Sequence, residues 1–130
     1  MKQEPHWLRR DVVLAIHREH LLAHGGAAGV RDEDLLDSAL ARPWSQWAHE
    51  EAPPTRMAVA YASSFVRDHP FMAGNRRTAL LALYTFLAGN GLRLEATEAE
   101  AAAAILALES GEVSELEFER WLHDHVKGES

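Results

Sequence analysis

The sequence predicts an all-α fold: a single compact domain over residues 1–130, with about six helices packed around a buried central helix. Three observations carry that prediction. Apolar residues recur at helical spacing, and no segment alternates as a half-buried strand would. Caps, glycines and prolines punctuate the apolar runs at helix length. A chain of 130 residues that is 47% apolar suits one core, and no repeat, linker or low-complexity segment divides it.

The elements follow in order. "WLRRDVVLAIHREHLLAH" places Leu8, Val12, Ile16 and His20 on one stripe, with Val13, His17, Leu21 and His24 beside it; Gly25 and Gly26 end the helix. In "GVRDEDLLDSALARP", Asp32 is the N-cap of a second helix, acidic residues fill its first turn and Pro43 is expected to stop it. Residues 44–52, "WSQWAHEEA", read as an irregular loop exposing Trp44 and Trp47. Pro53 and Pro54 open a third helix that ends near Asp68. The fourth, Asn75 to Ala88, is apolar almost all the way round, which marks it as the buried centre. Thr97 with Glu100 forms a capping box for the fifth. Ser114 caps the sixth, with Leu116, Trp121 and Leu122 as core candidates.

Composition narrows the function. The formal net charge of −7 argues against a generic nucleic-acid binder. The chain has no cysteine, which excludes a disulfide scaffold, thiol catalysis and thiolate zinc sites. "MKQEPHWLRR" has no apolar core of a secretory signal, and the longest uncharged run, residues 78–92, is shorter than the roughly 20 residues of a spanning helix. A soluble cytoplasmic protein is the expectation.

The chemistry concentrates in "RDHPFMAGNRRTAL", residues 67–80. A loop from His69 to Gly74 leads into a helix starting near Asn75. The first turn of a helix has free N–H groups and partial positive charge, so it attracts anions. Gly74 lets a phosphate approach the backbone, and Arg76 and Arg77 add guanidinium forks. His69 is placed to take a proton from an attacking hydroxyl, while Phe71 is expected to turn inward and anchor the loop. The residues alone fit phosphoryl or nucleotidyl transfer. They fit an ordinary helix–helix connection too, with Asn75 as a cap and the arginines as a solvated turn. Two arginines against the helix dipole tip the balance toward a bound anion.

"HPFMAGNRRTAL" resembles the Fic/Doc motif: histidine, any residue, phenylalanine, any residue, an acid, a small residue, asparagine, lysine or glycine, then arginine. The likeness is greatest to the Doc branch, the toxins of Phd–Doc toxin–antitoxin modules, through Arg76, Arg77, Thr78 and Ala79. "GVRDEDLLDSALARP" and "AIHREHLLAHGG" are similar to Doc-family segments as well. The resemblance implies His69 as general base, Gly74 and Asn75 as the anion hole, Asn75 also placing the phosphate or its metal, and Arg77 as a phosphate clamp beside Arg76. It implies ATP and Mg²⁺, transfer of the terminal phosphate to a threonine of elongation factor Tu, and arrested translation. Fic adenylyltransferases carry glycine at the position of Arg76 and a second arginine at that of Leu80; this chain has neither, which favours phosphate over AMP transfer. The implied partner is a Phd-like antitoxin with a C-terminal helix that lies in a groove of the toxin. The family's inhibitory Ser/Thr-x-x-x-Glu helix has no match here.

One position departs from the pattern. Ala73 stands where the family carries the Asp or Glu that holds Mg²⁺, and a methyl group offers a hard cation no oxygen. Weak turnover with a metal held by phosphate and water, loss of catalysis with binding retained, and a disarming substitution all fit this residue. Asp68, beside His69, is expected to point away. His17, His20 and His24 share a helix face that suits a metal, although helical histidines more commonly pack or face solvent. His123 and His125 point to different sides of their helix and carry no signal. Trp44 and Trp47 suit either the rim of a substrate site or a lid on the core.

Overall fold

The computed structural model describes residues 3–128. Six helices run in order: α1 Arg10–His24, α2 Glu33–Glu50, α3 Pro54–Asp68, α4 Asn75–Gly89, α5 Glu98–Ser110 and α6 Glu115–His125. Two three-residue strands, β1 Leu92–Leu94 and β2 Val126–Gly128, pair antiparallel with Leu94 opposite Val126. The fold is all-α, with this ribbon as an addition the periodicity did not reveal. Three residues are too few for alternation to stand out.

α3 and α4 form the centre. α4 buries Thr78, Ala79, Leu80, Ala82, Leu83, Phe86 and Leu87. α3 is enclosed even more completely, with every residue from Met57 to Val66 buried. Its Ala58, Ala60, Ala62, Ser63 and Ser64 have small side chains, so α2, α4, α5 and α6 can all approach it. On α1 the core stripe is Val13 and His17; Val12, Ile16 and His20 are only half-buried. No helix among the described residues is long and apolar enough to cross a membrane.

Local signals set most boundaries. Asp32 accepts the N–H of Leu35, and Thr97 with Glu100 and Ser114 with Glu117 form reciprocal capping boxes. Pro43 does not stop α2. The helix continues through residues 44–50, the segment expected to be a loop. Proline deprives the carbonyl four residues back of its N–H partner. Here, tertiary contacts outweigh that loss. Pro43 is buried, the Arg42 guanidinium forks onto the Glu115 carboxylate at 2.9 and 2.5 Å, and Trp47 packs edge-on against Trp7 with centroids 6.0 Å apart. In α6 the core residues are Phe118 and Leu122, whereas Leu116 is exposed.

Candidate functional site

The loop between α3 and α4 is held from three sides. Phe71 is buried and pairs through an isolated bridge with Val30. Around that bridge, Arg31 N–H and Asp32 N–H donate to Pro70 O, and Met72 N–H donates to Gly29 O. The Arg31 guanidinium donates to His69 O at 2.7 Å and to Asp68 O at 2.6 Å, satisfying carbonyls at the open end of α3. From α1, the His17 ring lies nearly parallel to Phe71, 3.9 Å between centroids, and its Nε2 is 2.8 Å from Ala73 O.

Asn75 completes the scaffold. Its side chain is buried, with Oδ1 accepting Phe71 N–H and Nδ2 donating to Phe71 O, both at 3.0 Å. Its amide therefore shapes the loop, while its backbone sits at the mouth of α4. Gly74 is the N-cap, at φ 77°, and supplies no capping side chain, so the first-turn N–H groups keep their anion-binding character. A Cβ on Gly74 would stand 2.6 Å from His20 Cδ2, so a side chain is barred by space as well as by φ.

These residues open onto a cleft of about 630 Å³, a size suited to a small-molecule site. His69, Gly74, Asn75, Arg76 and Arg77 line one wall, and α5 supplies the other with Ala102, Ala103, Ile105, Leu106 and Glu109. His69 caps α3 at φ 51°, a left-handed conformation that histidine tolerates better than most residues, and its carbonyl is held by the Arg31 guanidinium. Its side chain is half exposed. Phe71 lies beneath the loop, outside the cleft lining.

α5 contributes charges that its sequence did not announce as functional. Glu109 reaches His69 Nε2 with one oxygen at 3.4 Å and Arg76 Nε with the other at 3.3 Å. Glu98, at the opposite end of α5, pairs with Arg77 at 2.7 Å. A signal existed: the last turn of α5 has an acid and no base, against the helix dipole. Which residues it faced depends on contacts more than 30 positions apart. Arg31 gave no local signal, and the spacing of His17 pointed to a metal face rather than to the loop it holds.

The remaining candidates separate. His17, His20 and His24 do not converge: His17 serves Phe71 and Ala73, and the His20 and His24 rings lie tilted at 4.9 Å. Among the described residues, no group of three His, Asp or Glu side chains is placed to hold a metal ion. His20 lines the cleft, and burial, then the charges of His24, Arg77 and His17, hold its pKa below the usual histidine value. Trp44 and Trp47 do not line the cleft; Trp47 borders a separate hollow with His6 and Asn90. The Ala73 side chain is a methyl facing the cleft, so the residues present do not fit a protein-held Mg²⁺ at that position.

A helical scaffold that presents a histidine, a glycine cradle and two arginines from one loop–helix junction defines a class, and sequence comparison names it. Residues 7–87 match the profile of the Fic/DOC family, and the chain belongs to that family. It is similar to "Toxin Doc" of Mycolicibacterium smegmatis (strain ATCC 700084 / mc(2)155), with 43% identity over 90 residues, 68% of this chain and 66% of the relative. The match thus spans just under two thirds of that relative's length.

Proposed function

We propose that this chain is a Doc-like toxin of a toxin–antitoxin module, which transfers the terminal phosphate of ATP to a threonine of elongation factor Tu and so arrests translation. One observation carries the proposal: His69, the Gly74 cradle, Arg76 and Arg77 share a single cleft. ATP enters as substrate. Its terminal phosphate lies at the mouth of α4, facing the free N–H groups of the first turn and the two guanidinium forks. His69 accepts the threonine proton as the hydroxyl oxygen bonds to the terminal phosphorus and ADP leaves. Arg76 fills space where an adenylyltransferase has glycine, which disfavours AMP transfer. Ala73 supplies Mg²⁺ no ligand, so the guanidinium groups and the α4 N–H groups are left to balance the phosphate charge.

Ala73 also favours a second reading, a catalytically silent Doc-like domain that binds its antitoxin. The proposed partner is a Phd-like antitoxin whose C-terminal helix lies in an apolar groove. The exposed Met72 and Leu106 beside the cleft suit such a helix.

Intact-mass measurement separates these readings. The chain and its Ala73→Asp variant are incubated with ATP, Mg²⁺ and elongation factor Tu. A phosphate-sized gain on the factor supports the kinase; an AMP-sized gain replaces it with a nucleotidyltransferase. No gain from either protein, together with tight antitoxin binding, establishes the silent reading. His69→Ala abolishes any gain that is real.

A further inference from the structure

Both arginines of the cradle are already paired, and both partners belong to α5. Arg76 meets Glu109, and Arg77 meets Glu98. Those two acids are eleven residues apart, about 16 Å along a helix at 1.5 Å per residue, so the pairs draw the guanidinium groups toward opposite ends of α5. The charges are also placed against their own helices. Arg76 and Arg77 stand at the positive end of α4, with no acid in its first turn; Glu109 stands at the negative end of α5, with no base in its last turn. Each is unfavourable locally and is compensated only across the cleft.

The two pairs differ in enclosure. The Glu98 side chain is 74% exposed and screened by solvent, whereas the Glu109 side chain is 21% exposed and lines the cleft beside His69. Among the described residues neither oxygen of Glu109 makes a close contact; at 3.3 and 3.4 Å the carboxylate is shared loosely between the Arg76 guanidinium and the His69 imidazole. A loosely held acid between a histidine and an arginine is a counter-ion that a better anion can replace.

We infer that Glu109 is the resting counter-anion of the cleft: a polyphosphate chain displaces it from Arg76 and leaves it facing His69. Glu109 is thus a positioning residue that sets the affinity threshold for the anion and gives up one of its two partners when the anion arrives. This rests on the reading of the α4 terminus as a phosphate cradle. A phosphate chain carries more charge than one carboxylate and can reach the free N–H groups of α4 at the same time, so the exchange favours a polyanion over a monoanion.

The probe is inorganic tripolyphosphate, with binding followed by calorimetry on the intact chain, Glu109→Gln, Glu109→Ala, Arg76→Ala and the Glu109→Gln/Arg76→Ala double variant. Removing the competing charge tightens binding about tenfold, which corresponds to 1.4 kcal/mol. The gain appears in both Glu109 variants and disappears in the double variant, because Arg76 is the site of competition. Structural damage would weaken binding, so tightening is diagnostic. Equal or weaker binding by both folded Glu109 variants overturns the inference while leaving the cradle intact. A tightening that persists without Arg76 overturns it as well. Failure of every protein to bind tripolyphosphate overturns the cradle reading and this inference together.

Discussion

The imidazole of His17 and the ring of Phe71 lie stacked, 3.9 Å apart and 12° from parallel, with His17 Nε2 at 2.8 Å from the carbonyl of Ala73. A buried residue of α1 therefore fixes both the anchor and the far end of the loop. Replacing His17 with Leu keeps the bulk but leaves the Ala73 carbonyl short of a partner. The expected loss is about 1–3 kcal/mol of stability, the usual effect of orphaning a buried polar group. Urea denaturation reads the loss. An unchanged midpoint would show that the contact contributes nothing.

Gly74→Ala meets two obstacles. The αL conformation costs a non-glycine residue about 1–2 kcal/mol, and the new Cβ would sit 2.6 Å from His20 Cδ2. Adding His20→Ala removes the collision and leaves the backbone strain. The double variant is expected to recover part of the lost stability and no more. Thermal melts of the four proteins test this, and full additivity of the two single effects would sink the idea.

Acid should loosen α6 from α2. The hydrogen bonds from Arg42 hold the Glu115 carboxyl below its usual range, with the charge of Arg67 adding to the effect and burial opposing it. A depressed carboxyl pKa stabilises the fold fully above its ordinary value near 4.5, and that stabilisation fades as pH falls through the lowered value. Glu115→Gln is therefore expected to lose about 1 kcal/mol at neutral pH, a figure typical of a partly exposed ion pair. In strong acid it should match the parent. Denaturation midpoints across the pH range decide it: a gap that persists at low pH contradicts the linkage.

Capping offers a simpler check. Thr97→Ala removes the hydroxyl that accepts Glu100 N–H at 3.0 Å. An N-cap loss of this kind costs about 1 kcal/mol. Because α5 carries one wall of the cleft, the same change is expected to weaken anion binding slightly. Calorimetry and a melting curve on one sample measure both effects.

The sequence made the local physics plain. Asp32, Thr97 and Ser114 are caps whose partners lie three residues away, and each boundary they imply is present. The stretch from His69 to Arg77 was legible because one short segment carries nearly all its chemistry. Contacts at long range were hidden. Pro43 looks like a stop because the pairing of Arg42 with Glu115 and the burial of the ring cannot be read nearby. Glu109 looks like an ordinary surface acid until folding brings it to His69 and Arg76. Asn75 was expected to face the anion, and its amide instead closes on Phe71, a geometry that composition does not encode.

The short ribbon of β1 and β2 bears on the cleft, though it lies outside it. Glu95 N–H donates to His125 O at 2.6 Å next to the paired strands, so the chain leaving α4 is fastened to the chain leaving α6. Everything between, α5 included, is a closed circuit with its two ends tied. The wall that carries Glu98 and Glu109 is then a spanned beam, tied at its ends as well as packed along its length against α3 and α4. Fraying of three backbone pairs at Leu92–Leu94 would slacken it and let the acids drift from the arginines. Amide exchange at those strands becomes a remote gauge of how tightly the cleft is closed.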